Sequence, residues 1–202
     1  MRRLLALAGA LATLASCGAS LPPRFVLERD VGSWSYRRYQ RVLDVELPIE
    51  GNPAVGHTAT YVGRASRTSR SVPFTNVFVT VYERPTGLAA EVRRQLRALA
   101  SYDAEVRAYG GGYVWYLDGG PDDRWALWVS GAHVVKVGAG GGLDRVPEDV
   151  VSTYMGLYPS DLDAHGRARP GTLSEGELEE RRPASDDPTD DVPGFLRDNA
   201  PR

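Results

Sequence analysis

The feature that most constrains the fold is a series of short apolar segments separated by turn sequences in the second half of the chain. Residues 113–117, 124–130 and 133–137 are rich in aromatic and β-branched side chains. The connecting residues 118–123 and 131–132 contain the glycine, proline and aspartate that favour tight turns. Short connections between apolar segments join antiparallel neighbours, so the pattern predicts a three-stranded antiparallel meander.

Further strands are predicted at residues 34–49, as one long or two short strands, and at 57–62 and 76–83. One helix is predicted from Gly87 to about Ala108 and ends at a run of three glycines. Its apolar stripe consists of Leu88, Val92, Leu96, Leu99 and Val106. A second helix is predicted from Pro147 to just before Pro159. The order predicts an α+β fold, with an antiparallel sheet of five to six strands and two helices packed on one face.

The composition excludes several classes of protein. The 202 residues carry a formal net charge of −2, which does not indicate a nucleic-acid-binding protein. A single cysteine excludes an intramolecular disulfide framework and any multi-cysteine metal site. Lys136 is the only lysine in the chain, and we interpret this bias as codon usage rather than chemistry.

The first residues have the layout of a secretory signal peptide. Arg2 and Arg3 precede an apolar run over residues 4–12, and small residues follow at Ala15 and Ser16. The apolar run is too short to span a bilayer as a helix of the mature protein. Residues 1–16 are therefore predicted to be removed from the mature chain.

The sequence Leu14-Ala15-Ser16-Cys17 resembles the lipobox of bacterial lipoproteins. The resemblance covers residues 1–17 only and implies cleavage after Ser16, a diacylglycerol on the Cys17 thiol, and an acyl chain such as palmitate on the new amino terminus. Gly18 follows the cysteine where aspartate would favour inner-membrane retention, so the resemblance implies an outer-membrane lipoprotein, facing the periplasm or the cell surface. The alternative is an ordinary signal peptide with a cysteine near its cleavage site.

The remaining chain divides into three parts. Residues 17–24 form a short tether, and residues 25–162 are sufficient for a single α+β domain with its own core. Residues 163–202 contain ten acidic and six basic side chains and few large apolar ones. This composition predicts a disordered acidic tail.

Three arginines at three-residue spacing, Arg64, Arg67 and Arg70, lie in a segment rich in serine and threonine. A short tether would keep this segment near a membrane, where arginines bind anionic headgroups. Contact with an anionic lipid surface is one interpretation, and a solvated loop is the other. The membrane, through the lipid anchor, and another envelope protein are the expected partners.

Both faces of the predicted meander carry large apolar groups. Trp115 points to the face opposite to that of Val114 and Tyr116. In the next strand, Trp125 points to the face opposite to that of Trp128. Two helices on one face would leave the other to a covering segment, a partner or a ligand. Contact of these three tryptophans with an apolar ligand is therefore a hypothesis, and a well-packed core is the alternative.

No catalytic, cofactor or metal motif is recognisable. Glycines 138, 140, 141 and 142 do not match a phosphate-binding loop. Asp118, Asp122 and Asp123 lack the spacing of a calcium loop and fit a turn. The sequence thus predicts a non-enzymatic, lipid-anchored envelope protein with a binding or structural role, and the alternative is a carrier or sensor of a small apolar ligand.

Overall fold

Seven strands form one sheet in the computed structural model of the chain, which describes residues 20–43, 45–64, 71–98 and 102–176. The elements in chain order are β1 (Ser35–Val42), β2 (Ala54–Val62), β3 (Phe74–Tyr82), α1 (Leu88–Ala98), β4 (Asp103–Tyr109), β5 (Gly112–Asp118), β6 (Arg124–Ser130), β7 (His133–Gly140) and α2 (Glu148–Leu157). The spatial order is β1-β2-β3-β7-β6-β5-β4, and every neighbouring pair is antiparallel. The antiparallel α+β architecture predicted from the sequence is therefore confirmed.

The sheet has seven strands rather than five to six, because the second half of the first predicted helix is a strand. Helix α1 ends at Ala98, and the predicted stripe residue Leu99 lies outside the described part of the chain. Strand β4 follows and pairs with β5 through Tyr109 and Gly112. Gly110 and Gly111 between them have φ angles of 53° and 93°, as a two-residue type I′ hairpin requires. The glycine run is thus a hairpin turn and not a helix terminus.

The two helices lie on opposite faces of the sheet, so the prediction of both on one face is wrong. In antiparallel pairs, residues directly opposite each other point to the same face. Tyr61 of β2 points to the face where its hydroxyl contacts that of Tyr154 in α2, at 2.7 Å, and we call this the α2 face. Tyr82 of β3 points to the other face, which we call the α1 face. Its hydroxyl donates to the carbonyl oxygen of Leu47 at 2.7 Å, and Gln95 of α1 donates to the adjoining Pro48 carbonyl at 2.7 Å.

The topology explains this arrangement. Three strands separate β3 from β4 in the sheet, and the alternating directions make β3 and β4 parallel. A connection between parallel strands of one sheet must cross a face, and α1 is part of that crossover. Helix α2 follows β7 and returns over the opposite face. Each helix thereby covers one of the two apolar surfaces that the sequence pattern indicated.

The folded chain continues beyond the predicted boundary at residue 162. Leu162 forms an isolated antiparallel bridge with Ala168, and the buried Ser174 hydroxyl donates to Asp161 at 2.7 Å. Gly166 lies against the indole of Trp115 on the α1 face. The first part of the predicted acidic tail, up to residue 176, therefore packs on the domain. Residues 177–202 lie outside the described part of the chain.

The segment that enters the domain is fixed to the α2 face by a closed ring of hydrogen bonds. The Leu27 amide donates to the Tyr154 hydroxyl at 2.9 Å, and the Tyr61 hydroxyl donates to the Leu27 carbonyl at 2.6 Å. The Tyr154 hydroxyl then donates its hydrogen to the Tyr61 oxygen, 2.7 Å away. Burial raises the pKa of Tyr61 to about 12 and raises the pKa of Tyr154 as well, so both phenols stay protonated near neutral pH. The Tyr158 hydroxyl adds a bond to the Phe25 carbonyl at 2.6 Å.

Replacing Tyr154 with phenylalanine is expected to lower the free energy of unfolding by about 1–3 kcal/mol, because the buried Leu27 amide loses its acceptor. Urea unfolding of the two proteins measures the difference. Tyr36→Phe is the matched control, since the Tyr36 hydroxyl makes an exposed bond to Glu28 and its loss should cost less than about 0.5 kcal/mol. Equal losses of unfolding free energy in the two variants would contradict the role of the hydrogen-bond ring around Leu27.

Candidate functional site

The three tryptophans proposed as one ligand contact do not meet. Trp128 points to the α2 face, is fully buried, and donates its indole N–H to the Tyr158 carbonyl at 2.7 Å. Trp115 and Trp125 point to the α1 face, since they pair with Leu127 and with Gly138 of that face. Trp115 is buried and belongs to the core. Trp125 is only partly buried, and its ring contacts a neighbouring charged side chain.

That neighbour is Lys136, the single lysine of the chain. It lies on β7 and points to the α1 face, where its side chain is only 11% exposed. The ammonium nitrogen lies 3.4 Å from the centroid of the Trp125 ring and 5.1 Å from that of Phe78. It also lies 2.5 Å from the Glu46 carboxylate. The aromatic faces and the carboxylate together offset the desolvation of the charge.

A pocket of about 250 Å³ lies beside this ammonium, between the α1 face and the segment that follows β1. Most of its lining is aliphatic or aromatic. Lys136 and Glu46 provide its charges, and Thr58 and Thr80 provide its hydroxyls. The complete lining is Val42, Val45, Glu46, Leu47, Gly56, Thr58, Phe78, Thr80, Leu127, Val134 and Lys136. An apolar concavity with a few polar groups is the usual form of a small-molecule site, and this volume is slightly below the usual range of about 300–1,000 Å³.

Thr58 supplies an unsatisfied polar group in the pocket wall. The residue is 8% exposed, and its hydroxyl oxygen is the one buried side-chain N or O atom of the described residues that has no hydrogen-bond partner. Leaving such a group unpaired costs about 1–3 kcal/mol in a folded protein. Thr58 pairs with Phe78, and Phe78 pairs with Lys136, so the three residues form one row across the sheet. With strands about 4.8 Å apart, Thr58 and Lys136 are separated by about 10 Å.

Two histidines on the α2 face form an aromatic cluster around Phe25. The Phe25 ring lies 4.8 Å from the imidazole of His57 and 5.7 Å from that of His133. Burial lowers the pKa of both histidines, which are therefore predominantly neutral near neutral pH. His57 contacts the Tyr39 hydroxyl at 2.9 Å, and His133 contacts the Ser130 carbonyl at 3.1 Å. The ring contacts hold Phe25 of the entering segment against the sheet, and the hydrogen bonds orient the two imidazoles.

A larger groove of about 660 Å³ runs along the β4 edge of the sheet, and its lining carries five acidic side chains and three arginines. Arg107 lies 2.6 Å from Glu105, and Arg124 lies 3.0 Å from Asp118. These partly exposed ion pairs are weak, and the lining of the groove keeps a formal excess of two negative charges.

The acidic turn between β5 and β6 uses its carboxylates internally. Asp118 accepts from the Gly120 amide, and Asp122 accepts from the Gly142 amide. Asp123 accepts from the Tyr102 hydroxyl and from the Trp125 indole, both at 2.7 Å. Within the described ranges, no group of three His, Cys, Asp or Glu side chains could hold a metal ion.

The predicted membrane-contact residues are mostly outside the described part of the chain. Ser16, Cys17, Arg67 and Arg70 are all in segments that the structure does not describe. Arg64 is exposed and lines a groove of about 390 Å³ together with Arg37. No helix among the described residues is long and apolar enough to cross a membrane.

Comparisons with known proteins leave these residues as the basis for a functional assignment. No protein-family model, no curated protein and no solved structure matches the chain. Sequence reasoning missed the Lys136, Glu46 and Thr58 site, because the three residues are far apart in the sequence. The one available signal is that a single lysine stands among 24 basic residues, a bias that codon usage also explains.

Proposed function

We propose that this chain is a lipid-anchored protein of the bacterial outer membrane whose domain binds a small, largely apolar molecule without converting it. The pocket on the α1 face supports this proposal best, because it combines an apolar lining with a buried hydroxyl that has no partner among the described residues. A structural protein without a ligand would gain stability by filling such a cavity. The pocket therefore favours the carrier or sensor over the purely structural role.

Binding without chemistry is proposed from the groups that face the pocket. The described residues that line it include no histidine, cysteine or serine. The Lys136 ammonium is already engaged by Glu46 and by the face of Trp125. An amine held between a carboxylate and an aromatic ring is not free to act as a nucleophile. The arrangement is suited to holding a ligand in one orientation.

Filling the pocket is expected to abolish ligand binding. Thr80 lines the pocket at a half-buried position of β3, and Thr80→Phe places a ring in the cavity. We expect the full chain in detergent-free buffer to bind the neutral fluorescent probe N-phenyl-1-naphthylamine, and the variant to lose at least about 90% of the fluorescence enhancement. Thr153→Phe, at a half-buried position of α2, is the matched control and should keep it. Equal loss in both variants, or no probe binding by the wild type, would contradict the proposed site.

The anchor is tested separately through Cys17. We expect intact mass spectrometry of the membrane fraction to show a mature chain that begins at Cys17 and carries lipid, by resemblance to the lipobox. Cys17→Ser should remove the lipid and shift the protein to the soluble fraction, because two or three acyl chains hold a protein stably on a membrane. Cys17→Ala is expected to behave like the serine variant. A soluble wild-type protein cleaved at another residue would overturn the anchoring part of the proposal.

A further inference from the structure

The geometry points to an amphipathic carboxylate as the ligand of this pocket, with its carboxylate taking the position of Glu46 on Lys136. The inference rests on the proposed function and specifies the chemical class of the ligand. It assigns the charged end of the ligand to Lys136, the apolar chain to the floor around Phe78 and Leu127, and a second polar group to Thr58.

The surroundings of the Lys136 ammonium are suited to binding an anion. A buried positive charge requires a counter-charge, and here it is supplied by Glu46, at 2.5 Å. Trp125 and Phe78 lie around the ammonium and exclude water from it. Ion pairing in such an environment is stronger than at an exposed surface, so an anionic ligand group would be bound firmly in the same position.

Glu46 is a suitable residue to be displaced. Its side chain is 51% exposed, although its partner is 11% exposed, so the carboxylate can turn into water at little cost. It belongs to the segment over the pocket, and not to the sheet that holds Lys136. Glu46 thus acts as an internal substitute that keeps the lysine paired when no ligand is bound.

The apolar lining and Thr58 define the remainder of the ligand. Phe78 lies between Thr58 and Lys136 in the row across the sheet, so a chain extending from the ammonium crosses an apolar surface. Thr58 is about 10 Å from Lys136 along this row. A hydroxyl or carbonyl group at the far end of a short chain would satisfy the Thr58 hydroxyl. A linear carboxylic acid with a second polar group at its distal end matches both points.

The first experiment compares binding of octanoate, octanol and octylamine to the full chain by isothermal titration calorimetry. Octanoate is expected to bind at least about 10-fold more tightly than the other two, since charged hydrogen bonds contribute more than neutral ones. Lys136→Met should remove this preference. Arg124→Met is the matched control, because Arg124 points to the opposite, α2 face, where it pairs with Asp118, and its loss should leave binding unchanged.

Two further variants test the exchange and the distal contact. Glu46→Gln removes the internal competitor and is expected to increase the affinity for octanoate several-fold. Thr58→Val keeps the shape of the side chain but removes its hydroxyl, so it should weaken ω-hydroxyoctanoate and leave octanoate unaffected. A decrease in affinity with Glu46→Gln would contradict displacement of the carboxylate.

Because Lys136 is the only lysine, labelling with carbon-13 lysine gives one side-chain signal for the binding site. Octanoate should shift the Cε resonance, since the ammonium changes its partner above the Trp125 ring. Equal binding of octanol and octanoate would overturn the carboxylate assignment and leave the proposed apolar pocket intact. Tighter binding of octyl phosphate would also overturn it. Absence of binding by every probe would overturn the proposed function as well.

Discussion

Replacing Trp128 with alanine is expected to lower the free energy of unfolding by about 3–5 kcal/mol. The indole is fully buried on the α2 face, and its N–H donates to the Tyr158 carbonyl at 2.7 Å. The substitution therefore removes a large apolar group, leaves a cavity and leaves a buried carbonyl without its donor. Urea unfolding of wild type and variant measures the loss.

Trp125→Ala is the informative comparison, because this ring lies on the other face and is partly exposed. We expect a smaller loss of stability than for Trp128→Ala and a weaker affinity for octanoate, since Lys136 loses the ring beside its ammonium. Trp128→Ala should leave the affinity unchanged at a temperature where the variant is folded. The reverse ranking would contradict the separation of the two tryptophans by the sheet.

Gly166→Val is expected to cost about 2–4 kcal/mol of stability, from overpacking together with backbone strain. A Cβ atom at Gly166 would lie 2.2 Å from the Trp115 indole nitrogen and 2.9 Å from Val106. The residue also has a φ angle of 66°, which β-branched residues avoid. Differential scanning calorimetry should show a clearly lower midpoint for the variant.

Gly171→Val is the matched control for this result. Gly171 has a similar φ angle of 79°, but a Cβ atom there meets nothing within 4 Å. Its cost should be confined to the backbone, about 1–2 kcal/mol. The difference between the two variants measures how tightly residues 163–176 pack on the α1 face. Equal unfolding midpoints for the two variants would mean that residues 163–176 do not pack tightly against Trp115.

The amino-acid pattern predicted most of the sheet, because alternation and turn residues are local signals. The strands of the meander, β2, β3 and the second helix all lie where the pattern indicated. The pattern is wrong at β4. Asp103–Tyr109 contains good helix formers, so the sequence predicts that this segment continues helix α1. The chain is a strand there because β5 offers a free edge, and pairing with a distant segment outweighs local propensity.

The candidate site was beyond the reach of sequence reasoning for a related reason. Glu46, Thr58 and Lys136 belong to three segments, and only the strand order places β2, β3 and β7 side by side. The structure does not bring the three tryptophans together, because Trp125 and Trp128 are three residues apart in one strand and therefore point to opposite faces. Trp128 is covered by α2 and the chain around Tyr158, whereas Trp125 lies against the Lys136 ammonium and lines the groove at the β4 edge.

The sequence by itself determined most of the local elements, the two apolar faces of the sheet and the signal that predicts a lipid anchor at Cys17. These depend on residues that are close together in the chain. The tertiary structure alone decided that the helices cover opposite faces, that residues 163–176 belong to the domain, and that the single lysine borders an apolar pocket. Burial of a charge becomes visible only when distant strands exclude water around it, and that is a property of the folded chain.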